Sequence, residues 1–459
     1  MSTTATPHAV SINPVDGSEI DRFPHSDGAE IEAALDRARE KQRSWGRLTP
    51  AERGEAMRRI GDELLASRDE LAATVTAEMG KTLAEARAEV EKCARACSFY
   101  ADEGPAMLAA EAVDAVDGGE RFVEFPPLGV VLAIMPWNYP IWQVVRAMAP
   151  ALLAGNTMVL KHASNVTGSA LRLGEIVARA EPSLLEVLVV PGGKVAPLIA
   201  DPRIAAVTLT GSEAVGVEVA KVCAHELKKS VLELGGSDPF VILADADVER
   251  AAEVARTARF QNAGQSCIAA KRFIVVESVA ERFEAAFTSQ VEGLTVGDPL
   301  AEATDLGPMA RADLRDELAE QVQRSLEAGG RLLTGGAAGQ TGAFYEPTLV
   351  ADVELSNPLA QEETFGPAAA IISVADEDAA IAAANATAYG LSSSLWTEDL
   401  DRARALAPRI EAGGVFVNTM TASDPPMPFG GVKRSGWGRE LGRYGLREFV
   451  NVQAVTIAG

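Results

Sequence analysis

The chain has 459 residues, 47% hydrophobic and 23% charged, with a formal charge of −23 and a pI near 4.7. That length allows about three domain-sized cores, and the composition excludes a disordered chain. The charge argues against nucleic acid and anionic membranes as partners, and any anion site must carry its own local positive charge.

Four cysteines, at 93, 97, 223 and 267, are too few for a disulfide scaffold and point to a reducing compartment. The N-terminal residues show neither a basic nor an apolar leader segment. The longest apolar stretch, 128–135, is far shorter than a membrane span, so a cytoplasmic location is expected.

The first 115 or so residues read mostly as helices. Thr49-Pro50-Ala51-Glu52 combines a capping Thr, a Pro at the first helical position and a Glu at the third, a helix start. An amphipathic pattern over 82–100 puts Cys93 and Cys97 on one helical face. With no His or Cys nearby they are expected in the core, and no metal site is expected.

Residues 121–125 and 130–134 read as strands, and from there strands and helices alternate. Strands are expected at 157–160, 187–190, 205–209 and 230–234, with helices at 166–180, 195–200 and 213–225. This is the pattern of parallel βαβ units in a doubly wound α/β sheet. After Gly236 a second α/β series begins, with helices at 279–291 and 312–328 and strands at 273–276, 369–373 and 415–418. The closing segment, 448–457, reads as a strand without a local partner, expected to pair with another subunit.

Four stretches carry chemistry. Cys267, in Asn262-Ala-Gly-Gln-Ser-Cys, sits in a polar, glycine-containing run that suggests an exposed turn; a thiol there can attack a carbonyl. Glu233, in Leu232-Glu-Leu-Gly-Gly, is a carboxylate in an apolar setting, and its following glycines suggest close backbone approach. Thr210-Gly211-Ser212 opens a helix after a strand and offers free N–H groups to a phosphate. Neither G-x-G-x-x-G at a strand–helix junction nor a P-loop motif is present, so a nucleotide site must be atypical. Met135-Pro-Trp137-Asn138-Tyr-Pro-Ile-Trp142 is a rigid loop with an amide donor for an oxyanion. Arg146 follows on the same face if the segment is helical, able to hold either an anionic substrate group or a structural carboxylate.

Together PWNYP, KHASN, TGSEAVG, LELGGSDPF, FQNAGQSC, EETFGP and PFGGVKRSG, in this order and spacing, resemble the aldehyde dehydrogenase superfamily, specifically its succinate-semialdehyde dehydrogenase branch. The resemblance runs from Asn13 to the final strand. It implies two doubly wound α/β domains, a cofactor domain of 1–115 with 135–234 and a catalytic domain of 235–434. A small β oligomerisation element of 116–134 with 446–459 would make a homodimer or homotetramer. It makes Cys267 the nucleophile, Glu233 the general base, and Asn138 with the Cys267 N–H the oxyanion hole. Lys161 would contact the adenosine ribose, Ser212 beside Gly211 the diphosphate, Glu363 the nicotinamide ribose, and Phe365 and Trp137 the nicotinamide side. Ser164 stands where NAD-preferring relatives carry a Glu. It cannot repel a 2′-phosphate, so NADP is expected to serve at least as well as NAD. Arg146, Trp142 and Ser423 would bind the substrate carboxylate. Gln261 stands where some members carry a second Arg, which leaves glutarate semialdehyde and other short ω-carboxy aldehydes open beside succinate semialdehyde. A CoA-acylating enzyme, for which Glu233 would be superfluous, and a catalytically silent homologue are the rival readings.

Overall fold

The computed structural model describes residues 7–115 and 118–459, so the first six residues and the start of the expected 116–134 segment lie outside it. Two large sheets organise the chain. The first has six strands in the order Gly436–Trp437, Lys229–Glu233, Ile204–Thr210, Val130–Met135, Thr157–His162, Leu185–Leu188. The second has seven, in the order Arg331–Thr334, Thr348–Ala351, Ala368–Val374, Ala270–Val276, Asp238–Ile242, Ser392–Trp396, Gly414–Val417. Both are parallel except at one edge each, Gly436–Trp437 and Arg331–Thr334. The two doubly wound α/β domains expected from the alternation are present.

Val130–Met135 shows why. All six of its residues are apolar and buried, so it needs cover on both faces, which only the interior of a helix-flanked parallel sheet provides. It therefore lies mid-sheet, between Ile204–Thr210 and Thr157–His162, and not in the oligomerisation element to which 116–134 was assigned. The chain reverses its strand order beside it, the switch point at which open α/β sheets bind ligands beyond their carboxyl ends.

The element that remains is a three-stranded antiparallel sheet of Gln453–Ile457, Glu120–Glu124 and Glu111–Val113. The closing strand thus has a partner within its own chain, Glu120–Glu124, on one of its two edges, while its other edge stays open to pairing with another subunit. That partner lies more than 300 residues away, so no local pattern announces it.

The N-terminal region is helical as expected, with an additional hairpin of His8–Ile12 and Glu19–Pro24. Thr49 and Thr82 each cap a helix through a reciprocal box with Glu52 and Glu85. The second of these helices runs over Leu83–Met107, past the expected end near 100. Cys93 and Cys97 are fully buried in its core-facing side, and no group of metal-ligating side chains occurs among the described residues. No helix of the described residues is long and apolar enough to cross a membrane.

Candidate active site

The loop that carries Cys267 is built against its own conformational preferences. Asn262, Ala263 and Gly264 have φ of 56°, 51° and 68°, three left-handed residues in succession. Gly264 adopts that geometry freely and is pressed against the Gly366 carbonyl, where a Cβ would not fit. Asn tolerates it and Ala does so at a cost of about 1–2 kcal/mol.

Hydrogen bonds hold the turn. The Asn262 N–H donates to Glu85 Oε1 at 2.6 Å, and Asn262 Nδ2 donates to the carbonyls of Asn138 (2.9 Å) and Gln265 (3.1 Å). Gln265 Oε1 accepts from the Ala310 N–H at 2.8 Å. The run 262–266 is therefore buried, not the exposed turn its polarity suggested, because its polar groups satisfy one another. Buried Lys271 donates to the carbonyls of Ser266 (3.0 Å) and Cys267 (2.6 Å), fixing the peptide that presents the thiol.

Two cavities meet at Cys267. One, of about 240 Å³, is lined by Trp137, Asn138, Gly211 and Ser212 from the carboxyl ends of the first sheet, and by Glu363 and Phe365 before a strand of the second. The other, of about 260 Å³, is lined by Trp142, Arg146, Ser423, Glu85, Glu89 and Lys92 among others. Of the expected cofactor residues, Lys161 and Ser164 stand apart. Ser164 is exposed and lines a separate cavity beside Arg311 and the N-terminal hairpin, and half-buried Lys161 lines neither of the two.

The two glycines after Glu233 do mark close approach. A Cβ on Gly235 would come within 2.5 Å of Glu363, and one on Gly236 within 2.8 Å of the Cys267 carbonyl oxygen. The Gly236 N–H donates to Glu363 Oε1 at 2.9 Å, so the bare backbone between the domains locks this carboxylate in place. Phe365 and Trp137 pack edge to face with centroids 5.6 Å apart. Asn138 Nδ2 donates to the Gln265 carbonyl at 3.0 Å, and an amide nitrogen has a second N–H left for an oxyanion.

Charges set the chemistry. Burial pushes the Cys267 thiol up to about 12, against the pull of Arg146 and Lys271. Glu233 is buried, its carboxyl oxygens without hydrogen-bond partners. Burial, and then Glu440 beside it, raise its pKa well above the usual carboxylate range. Its carboxyl packs against Gly430 and lines neither cavity. Arg146 is likewise corrected as a free anchor. Its guanidinium is buried in an ion pair with Glu440, lies 4.3 Å from the Phe429 ring centroid, and donates to Thr210 Oγ1 at 3.4 Å. Of the two roles open to it, the structural carboxylate is the one realised, because burying an unpaired guanidinium would cost several kcal/mol.

Sequence reading missed Glu85, Glu89, Lys92 and Lys271. The first three recur at helical spacing on the 82–100 pattern, a signal that was available; nothing local marks Glu440.

The residues around the first cavity suit a dinucleotide. The Glu213–His225 helix opens onto it with Ser212 at its cap, whose hydroxyl makes no capping hydrogen bond, leaving the helix N-terminus to an anion. Glu363 offers a carboxylate to ribose hydroxyls, and Trp137 with Phe365 an aromatic wall. Two cavities that meet at one thiol, the first suited to a dinucleotide, are the arrangement a cysteine-dependent oxidoreductase requires. The chain belongs to the aldehyde dehydrogenase family, whose sequence model matches residues 2–455. It is 47% identical to a succinate-semialdehyde dehydrogenase [NADP(+)] of Mycobacterium avium, over 97% of this chain and 96% of that protein. It is 46% identical to the succinate semialdehyde dehydrogenase [NAD(P)+] of Escherichia coli, over 99% of both. The structure of succinic semialdehyde dehydrogenase from Streptococcus pyogenes in complex with NADP+ superposes with a TM-score of 0.95 at 35% identity, covering 98% of this chain and 100% of the other.

Proposed function

We propose that this chain oxidises succinate semialdehyde to succinate with NADP, NAD serving as an alternative. The meeting of the two cavities at Cys267 supports the reading most directly, and the relatives' substrates and cofactors agree with it. Trp137, Gly211, Ser212, Glu363 and Phe365 would hold the dinucleotide, with Lys161 and Ser164 toward its adenosine end. Bound there, the nicotinamide supplies the hydride acceptor.

The Cys267 thiol loses its proton to solvent as its sulfur bonds to the aldehyde carbon and the carbonyl π electrons move to oxygen, forming a thiohemiacetal anion. The second N–H of Asn138 and the Cys267 N–H stabilise its oxygen. Loss of hydride leaves a thioester on Cys267. Glu233 takes a proton from water, whose oxygen displaces the sulfur and releases the acid. Reaching that water requires the Glu233 carboxyl to leave its place against Gly430 and Glu440. Ser164 leaves room for a 2′-phosphate. The open edges of the three-stranded sheet suit assembly with a second copy, and four free cysteines suit the cytoplasm.

Initial rates with succinate semialdehyde, glutarate semialdehyde and butanal, each with NADP and NAD, test the reading. We expect kcat/KM to be highest for succinate semialdehyde, with NADP at least matching NAD. A preference for butanal would overturn the substrate class, and one for glutarate semialdehyde the chain length.

A further inference from the structure

We propose that Lys271 is a positioning residue that serves both cavities at once: one ammonium fixes the peptide of Cys267 and holds the Glu363 carboxylate that faces the dinucleotide. The inference rests on the reading that the first cavity takes NADP or NAD against Glu363.

Lys271 lies near the start of the Ala270–Val276 strand, its side chain buried. Its ammonium donates to the carbonyls of Ser266 (3.0 Å) and Cys267 (2.6 Å). Neither bond needs a charge, because a neutral donor satisfies a backbone carbonyl. A buried ammonium is costly unless an anion offsets it. Among the described residues its one ion pair is with Glu363, whose Oε1 lies 3.9 Å away and accepts the Gly236 N–H at 2.9 Å. In the low-dielectric interior such a pair attracts more strongly than at a surface. The same cation therefore bonds the nucleophile's own peptide and stands behind the wall of the cofactor cavity.

The loop that bears Glu363 does not depend on Lys271 for its shape. Buried Arg259 donates to the carbonyls of Thr364 (3.1 Å), Gly366 and Ala368 (2.7 Å), on both sides of Phe365. What Lys271 adds is charge. Burial raises the pKa of Glu363, and Lys271 is the foremost group opposing that rise. Burial also raises the Cys267 thiol, and Lys271 opposes it second only to Arg146. The groups facing the pair are Arg259 on the Val248–Phe260 helix, Glu213 on the Glu213–His225 helix, Asp238 on the neighbouring strand, and Cys267 and Tyr389 in loops.

The sign follows. Without the ammonium, Glu363 takes up a proton at a higher pH, and a protonated carboxyl accepts ribose hydroxyls less well than a carboxylate. Cofactor affinity is lost most at low pH, and the loss shrinks as pH rises.

The test measures Kd for NADP and NAD between pH 6.5 and 9 by quenching of tryptophan fluorescence, Trp137 being in the cavity wall, in wild type, Lys271→Met and Lys271→Gln. Iodoacetamide alkylation of the cofactor-free proteins is followed alongside. We expect Lys271→Met to weaken both cofactors at least about fivefold at pH 6.5, the gap to wild type narrowing toward pH 9, and to slow alkylation at pH 8 at least about threefold. Lys271→Gln, which returns a donor without the charge, should behave as Lys271→Met. A gap independent of pH, a rescue by Lys271→Gln, or an unchanged alkylation rate would overturn the assignment and leave the functional reading standing. A wild type that binds neither cofactor would overturn both. If the Lys271 variants do not fold, Glu363→Gln at the cavity wall gives the readout. With its counter-charge gone, the ammonium should speed alkylation of Cys267 at pH 8 by about threefold or more; an unchanged rate overturns the assignment.

Discussion

At the scale of single residues, Cys267 was legible from its motif, but its acidity was not. A nucleophilic thiol invites the assumption that neighbours lower its pKa, yet its surroundings raise it to about 12 because burial outweighs Arg146 and Lys271. The sign is decisive: at pH 7 the resting group is the thiol, and the thiolate fraction grows tenfold per pH unit until about 12. Inactivation by iodoacetamide, which attacks the thiolate, should therefore rise about tenfold per unit from pH 7 to 9 without a plateau. A plateau below pH 8 would show a thiolate stabilised at rest. Arg146 fails to read from sequence for the opposite reason. Its identity is plain, but its role depends on Glu440, nearly 300 residues further on, and only the fold brings the two together.

The Leu83–Met107 helix shows the same division at the scale of an element. Its start, its amphipathic face and its buried cysteines follow from the 82–100 pattern and the Thr82 cap. That it also builds the site does not, because each contact reaches another element: Glu85 to the Cys267 loop, Glu89 to the next helix, Lys92 to Ser423. The Trp142–Leu153 helix has no cap of its own, since Ile141 offers no side-chain acceptor. Glu89 supplies one from outside, and buried Lys81 neutralises it. Glu89→Ala would strand an ammonium and two N–H groups, at a cost of about 3–5 kcal/mol. We expect a clear drop in the chemical denaturation midpoint. Lys81→Met added to it should recover part of the loss; no recovery would mean the ammonium is not what makes the deletion costly.

At the scale of the whole molecule, alternation of strand and helix sufficed for two doubly wound α/β sheets. The long-range closure of the three-stranded sheet was out of reach, since strand order depends on contacts across the full chain. Closed within one chain, that sheet still has two free edges, Gln453–Ile457 and Glu111–Val113, with Ile457 and Val113 about half exposed. Free edges bearing apolar side chains invite pairing with another copy, and a chain carrying −23 charges would otherwise resist association. Deleting residues 452–459, or placing a charge on the opposite edge with Val113→Asp, should shift the mass by light scattering toward the monomer. If both variants keep the wild-type mass, the subunits meet through another surface. If only the deletion dissociates, the Gln453–Ile457 edge is the one that pairs.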